Sequence, residues 1–131
     1  MVPKLKNFIN ILKNDYFSFK GRLSRKQFAI RFLVIQVLLI ILTIFMLATA
    51  MALGSKLIFL LLFIIIPLYL FSYAPVNQRF HDIGKGDMWT LVAAISGLAI
   101  PIIQLVFLIY LFTQKGQVGP NQYGDDPLNK E

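Results

Sequence analysis

Three long stretches of this chain carry no charge at all, and they constrain its fold more than any other feature. Phe32 to Leu53 is an uncharged run of 22 residues, Leu57 to Val76 one of 20, and Met88 to Phe112 one of 25. At about 1.5 Å of rise per residue, each is long enough to cross a hydrocarbon core about 30 Å thick. Lipid offers no partner to a backbone N–H or C=O, so such runs span as helices, and a transmembrane barrel needs an alternation of polarity that they lack. Hydrophobic residues make up 57% of the 131 residues, above the roughly 45–50% of soluble domains. The expectation is an all-α integral membrane protein, a single membrane domain over residues 1–131, with three transmembrane helices at 25–53, 57–76 and 88–112, a polar loop at 77–87 and a polar tail at 113–131.

Local signals refine the elements. Ser24 followed three residues later by Gln27 matches a capping box, which starts the first spanning helix at Arg25. Gly54, Ser55 and Lys56 alone join the first two runs and force an antiparallel hairpin, with Ala48, Ala50, Ala52 and Gly54 as small surfaces for close packing. Ala48-Thr49-Ala50 also resembles a signal-peptidase site, but the 31 residues before the apolar run are far longer than a signal n-region. The third run contains Gly97 and Pro101, so it is expected as one kinked, tilted helix or as a re-entrant pair that turns back. Two separate crossings of twelve residues each are too short. Ahead of the spans, Leu5, Phe8, Ile9, Leu12 and Tyr16 recur at helical spacing among Lys4, Lys6, Asn10, Lys13 and Asn14. That pattern predicts an amphipathic helix at 4–17, lying in the interface or packed on the protein.

Charge sets the orientation. The net charge is +7, and its placement beside apolar spans points to anionic headgroups and topology rather than nucleic acid. Eight Lys/Arg precede residue 32 and two lie in 77–87, against Lys56 in the first loop and two in the tail. The positive-inside rule then puts the N-terminus and the second loop in the cytoplasm and, with three spans, the C-terminus outside.

Three polar stretches are candidates for function. Phe19 to Lys26 combines a glycine turn at Gly21, the cap Ser24 and the cations Arg22 and Arg25; it reads as a topogenic anchor or as an anion site at a helix N-terminus. Asn77 to Asp87 carries Arg79, His81, Asp82 and Lys85. It reads as a structural turn or as an anion clamp with an acid–base group. Gly116 to Pro127 is a string of turn formers with Asn121, Tyr123, Gly124, Asp125 and Asp126. With one histidine and no cysteine, no metal site or thiol chemistry is expected, and no cofactor or catalytic set is assigned. The apolar cores hold no Asp, Glu, Lys, Arg or His, which disfavours a proton-coupled transporter.

Taken in order, these stretches resemble a known family. Phe19-x-Gly21-Arg22-x-Ser24-Arg25 with Phe28, then Arg79-Phe80-His81-Asp82-x-Gly84-Lys85 ahead of Trp89, then Gly119-Pro120-Asn121-x-Tyr123-Gly124-x-Asp126-Pro127 are similar to the motifs of the small bacterial membrane proteins grouped as domain of unknown function 805. Gln78 stands where that family commonly has an arginine, Asp87-Met88 where a Gly-Trp is typical, and Asp125 where a proline is frequent. The resemblance implies a multi-pass protein of the bacterial plasma (inner) membrane and brings no activity, cofactor or catalytic residue with it.

The function expected is a non-enzymatic envelope or interaction component whose basic cytoplasmic face, with Arg22, Arg25, Arg79 and Lys85, binds anionic lipid or a membrane-protein partner. An oligomeric pore or small-solute permease, and a lipid-headgroup enzyme using His81 and Asp82, are the alternatives. A homo-oligomer is compatible with the first two.

Overall fold

The structure is a computed structural model and describes residues 18–53 and 56–130, together with residues 5, 6, 9 and 10. Its helices are α1 (Arg25–Leu53), α2 (Lys56–Phe71), α3 (Ala74–Asp82), α4 (Asp87–Ala99) and α5 (Pro101–Thr113), followed by a 3-10 turn at Pro127–Lys130. Among the described residues there is no strand beyond an isolated bridge between Asn121 and Gly124. Of the helix expected at 4–17, Leu5, Lys6, Ile9 and Asn10 are helical and exposed; the remainder lies outside the described residues.

α1 begins where Ser24 closes its capping box. The Gln27 N–H donates to Ser24 Oγ and the Ser24 N–H donates back to Gln27 Oε1, both at 3.3 Å. From there 29 residues run as one helix of about 44 Å. Its hydroxyls turn inward on the backbone, Thr43 Oγ1 donating to Leu39 O and Thr49 Oγ1 to Phe45 O. α1 and α2 pack as a hairpin. Among the described residues two helical stretches are long and apolar enough to cross a membrane: Arg25–Leu53, and Leu61–Asp82, which runs from α2 through a turn at Ser72 and Tyr73 into α3.

α3 corrects the polar loop expected at 77–87. Residues Asn77 to Asp82 are helical, and every residue of α3 is buried, although its sequence, APVNQRFHD, is mostly polar. Pro75 in the first turn lacks the N–H that an initial turn would leave unbonded. Gly84, at φ +82°, ends the element, and the loop shrinks to residues 83–86. The second apolar helix accordingly ends at Phe71 and not Val76.

Of the two readings of the third apolar run, the structure has the pair that turns back. Ile100 is extended, at φ −142° and ψ 95°, because Pro101 restricts the residue before it and cannot donate back into a preceding turn. The run therefore forms two helices, and both ends of the pair meet α3: Thr90 of α4 hydrogen-bonds Asn77, while Leu111 O of α5 accepts from Arg79. α4 and α5 thus fold back as an antiparallel hairpin. At the turn Gly97 has no side chain where a Cβ would collide with the Gln104 amide. Each arm has 13 residues, about 20 Å, short of a bilayer's hydrocarbon core.

A small core holds the ends together: Leu23, Phe28, Tyr73, Val76, Phe80, Ala93 and Leu111 are all buried. Phe28, Phe32 and Phe112 stack around one another, with Phe28 and Phe112 centroids 5.0 Å apart, and Phe80 meets Phe107 edge-on at 6.1 Å. Elsewhere the helices turn apolar side chains outward; Met51, Phe63 and Leu98 are about four-fifths exposed. A contiguous surface of that kind is a lipid-facing or protein-facing one.

Candidate functional site

The three polar stretches meet at one end of the molecule, as a polar cap around α3. Arg22 precedes α1, after a turn that Gly21 makes at φ +93°. Its Nε donates to Asp82 Oδ1 at 3.1 Å, Nη1 to Gly119 O at 2.6 Å and Gly124 O at 3.3 Å, and Nη2 to Gln117 O at 2.5 Å. Arg79 points the other way from α3. Its Nε donates to Leu111 O at 3.0 Å, Nη1 to Leu23 O at 3.1 Å and to Asp82 Oδ2, and Nη2 to Gln114 O. One buried carboxylate thus lies between two buried guanidinium groups, whose remaining hydrogens go to backbone carbonyls. A buried ion pair holds only when the other polar atoms are also satisfied, and the carbonyls meet that condition.

His81 forms a second centre. Its Nδ1 hydrogen donates to Gly21 O at 3.1 Å, its Nε2 lies 2.6 Å from Asp87 Oδ1, and Tyr123 stacks flat on the ring, centroids 3.8 Å apart and planes 2° from parallel. Asn77 lies beside the ring, its Nδ2 3.3 Å from His81 Nε2. Its Oδ1 accepts from Thr90 Oγ1 at 2.6 Å, and its two amide hydrogens go to Phe19 O and Asp87 Oδ1, both at 2.9 Å. The Asn77 amide, and then His81, hold the Asp87 carboxyl below its usual range.

The tail locks on through its own turn. Asn121 Nδ2 donates to His81 O at 3.0 Å and to Gln117 Oε1 at 2.8 Å, and the Tyr123 N–H donates to Asn121 Oδ1. Asp126 accepts from the Gly119 N–H at 2.8 Å and the Leu128 N–H at 3.0 Å. Those bonds, Gly119 first, lower its pKa. The Gln117 N–H donates to Asp82 O at 2.7 Å, and Gly116 lies so close to the Asp82 carboxylate that a Cβ there would overlap it.

The order Gly21-Arg22-x-Ser24-Arg25, Arg79-x-His81-Asp82 and Asn121-x-Tyr123-Gly124-x-Asp126 is thus one assembly in space. The sequence profile of the family described as "Protein of unknown function (DUF805)" matches residues 16–125, which takes in all of it except Asp126. This chain belongs to the DUF805 family. It is also similar to the inner membrane protein YhaI of Escherichia coli strain K12 and of Escherichia coli O157:H7, each 28% identical over 120 residues, covering 92% of this chain and 93% of the relative. No solved structure matches the chain.

The DUF805 motif residues divide into those that build the cap and those that line its surface. Arg22 and Arg79, expected as anion ligands, are instead turned inward: their side chains are 1% exposed, and their bonds are spent on Asp82 and on the carbonyls of residues 23 and 111–124. Gly21, Ser24, Asp82, Asn121, Gly124 and Asp126 shape or hold that interior. Lys85 stands apart, its Nζ 4.7 Å over the Trp89 ring, a cation–π contact that ties it to α4. Arg25 is the member of the expected anion set that stays exposed, and it borders a cleft of about 430 Å³ together with Lys26 and Lys115.

Sequence reasoning missed Asn77, Asp87 and Lys115. Asn77 carries a readable signal, four residues before His81 and so on the same helical face. Lys115 carries none, because its neighbours Arg25 and Lys26 are about 90 residues away. Gln78, in place of the arginine common in DUF805 proteins, donates to Ser18 O at 2.6 Å and Lys20 O at 2.8 Å, so a neutral amide secures the 18–20 segment to α3.

Proposed function

We propose that this DUF805 protein is a non-enzymatic component of the bacterial inner membrane whose cytoplasmic face binds anionic phospholipid headgroups through Arg25, Lys26 and Lys115. In this reading α1 and the α2–α3 path cross the bilayer, α4 and α5 form a re-entrant pair, and the polar cap lies in the cytoplasmic headgroup layer. The observation that carries it is the fold-back at Ile100 and Pro101, which returns Lys115 to the end of the molecule where Arg25 and Lys26 stand.

Several features support the placement. With the tail on the side of the N-terminus, twelve of the thirteen Lys/Arg fall on one end of the spans and Lys56 alone on the other, a stronger positive-inside bias than three crossings give. Residues 117–124 bond directly to Arg22, which supports a C-terminus on the side of Arg22 and not the external one expected from three crossings. The relatives' name, inner membrane protein, agrees with the location. Asp82 pairs with Arg22 and Arg79, and in the neighbouring cleft the exposed Arg25, whose Nη1 donates to Thr113 O at 3.5 Å, joins Lys26 and Lys115 beside Asp126, three cations to one further carboxylate. Against an enzyme stands the engagement of the His81 nitrogens and of both Asp82 oxygens in fixed hydrogen bonds.

Native mass spectrometry of the detergent-solubilised full chain tests the reading. Phosphatidylglycerol is expected to stay bound to the native protein, and the triple variant Arg25→Gln, Lys26→Gln, Lys115→Gln is expected to lose about tenfold or more in affinity, from the loss of charge-assisted contacts. Equal retention by the two proteins would end the proposal.

A further inference from the structure

A different cleft, of about 770 Å³, lies on the His81 side of the cap. That volume is in the range of small-molecule sites, about 300–1,000 Å³. Its two ends differ in chemistry. One is apolar, walled by Leu70 from the end of α2 and by Leu91 and Ala94 from α4, within the helices that carry outward-facing apolar residues. The other is polar, with Lys20, Asp87 and Gln122 on its rim. Lys20 is exposed, and the Asp87 side chain is 79% exposed. Asp87 makes its bonds to Asn77 and His81 at Oδ1, and its carboxylate is otherwise open to the cleft mouth, the side chain being mostly exposed. The floor between the ends is rigid, because His81 is held by Gly21, Asp87 and Tyr123 together.

We infer that this cleft binds a single phospholipid with a zwitterionic, phosphoethanolamine-type headgroup. The acyl part lies along Leu70, Leu91 and Ala94. The headgroup ammonium donates to Asp87 Oδ2, and its phosphate accepts from Lys20 Nζ. Charge complementarity chooses the occupant. A rim with one cation and one anion repels part of a purely anionic headgroup and leaves one charge unmatched by a neutral one, whereas a headgroup with both signs satisfies both. The inference rests on the membrane placement proposed above, but it uses neither Arg25, Lys26 nor Lys115, so the two lipid sites fail separately.

The test is competition by native mass spectrometry on the full chain, with phosphatidylethanolamine, phosphatidylglycerol and the chain-free glycerophosphoethanolamine as probes. Phosphatidylethanolamine is expected to bind to the Arg25/Lys26/Lys115 triple variant as to the native protein. Lys20→Gln and Asp87→Asn are each expected to weaken it about tenfold, the worth of one charge-assisted contact. Ala94→Phe, which fills the apolar end, is expected to abolish binding, and glycerophosphoethanolamine is expected to bind at least tenfold more weakly than the lipid. Lys20 contributes no side-chain bond to the cap, so its variant stays informative even if Asp87→Asn unfolds. Unchanged phosphatidylethanolamine retention in both Lys20→Gln and Ala94→Phe would overturn the inference, as would equal preference for phosphatidylglycerol in the triple variant. Binding of glycerophosphoethanolamine equal to that of the lipid would also overturn it, by showing a headgroup site without an acyl channel. If the protein proves soluble without detergent and binds no lipid, the membrane reading fails first and this one with it.

Discussion

Arg22 Nη1 donates to the carbonyl oxygen of Gly119 at 2.6 Å across 97 residues of sequence. That bond, with those to Gln117 and Gly124, means that the beginning and the end of the family motif are one piece of structure. The same guanidinium reaches Asp82, so the cap closes around a single side chain.

Removing that side chain is expected to open the cap. Arg22→Met leaves three tail carbonyls without their donor and Asp82 with one arginine instead of two, and breaking a buried pair from one side costs about 3–5 kcal/mol. Thermal unfolding in detergent should fall accordingly, and hydrogen exchange should rise across residues 114–128. Arg22→Lys should recover little of the loss, because an ammonium cannot reproduce the planar fork.

Gly116→Ala tests the closeness of the tail to α3. The new methyl overlaps the Asp82 carboxylate, which two arginines hold and which therefore cannot swing aside. A loss of about 1–3 kcal/mol is expected from overpacking. Gly119→Ala meets no atom within 4 Å but sits at φ +80°, so its cost is backbone strain alone, about 1–2 kcal/mol. Unfolding curves for the two variants, alone and combined, should add if the two causes are independent.

A reporter fused after the tail tests the fold-back directly. An enzyme active only outside the cytoplasm is expected to stay inactive there, and to become active when inserted next to Lys56, between α1 and α2. Activity at the C-terminus would mean that residues 88–112 cross the bilayer once.

The tail turn should resist acid. The N–H groups of Gly119 and Leu128 stabilise the ionised Asp126, so its pKa is lower folded than unfolded. A carboxyl shifted in that direction contributes its full stabilisation above the unfolded value, near 3.9, and loses it as pH falls through the lower folded value. Protection of the Gly119 amide, corrected for intrinsic exchange, should therefore persist to about pH 4 and decline below it. In Asp126→Asn that pH dependence should vanish.

The sequence exposed some of this design and concealed the rest for physical reasons. The capping box of Ser24 and Gln27 was legible because its partners are three residues apart. The break at Pro101 was legible as a position but not as a direction, since a kink and a reversal need the same residues. What decides between them is Arg79 binding Leu111 O and Gln114 O, contacts across 32 and 35 residues. α3 was hidden for the opposite reason. Asn77 to Asp82 has the polarity of a loop, and it is buried because nearly every polar atom finds a partner outside the helix. Arginines beside glycines suit a phosphate and a carbonyl cluster alike, so the pattern around Arg22 and Arg79 announced acceptors without saying whose they were.

The dependence of Arg22 on residues 117–124 also orders events during biosynthesis. Those carbonyls leave the ribosome after α1 to α5, so until then the cap partner already synthesised for the Arg22 guanidinium is the Asp82 carboxylate. The cap therefore cannot close before residues 117–124 have been synthesised.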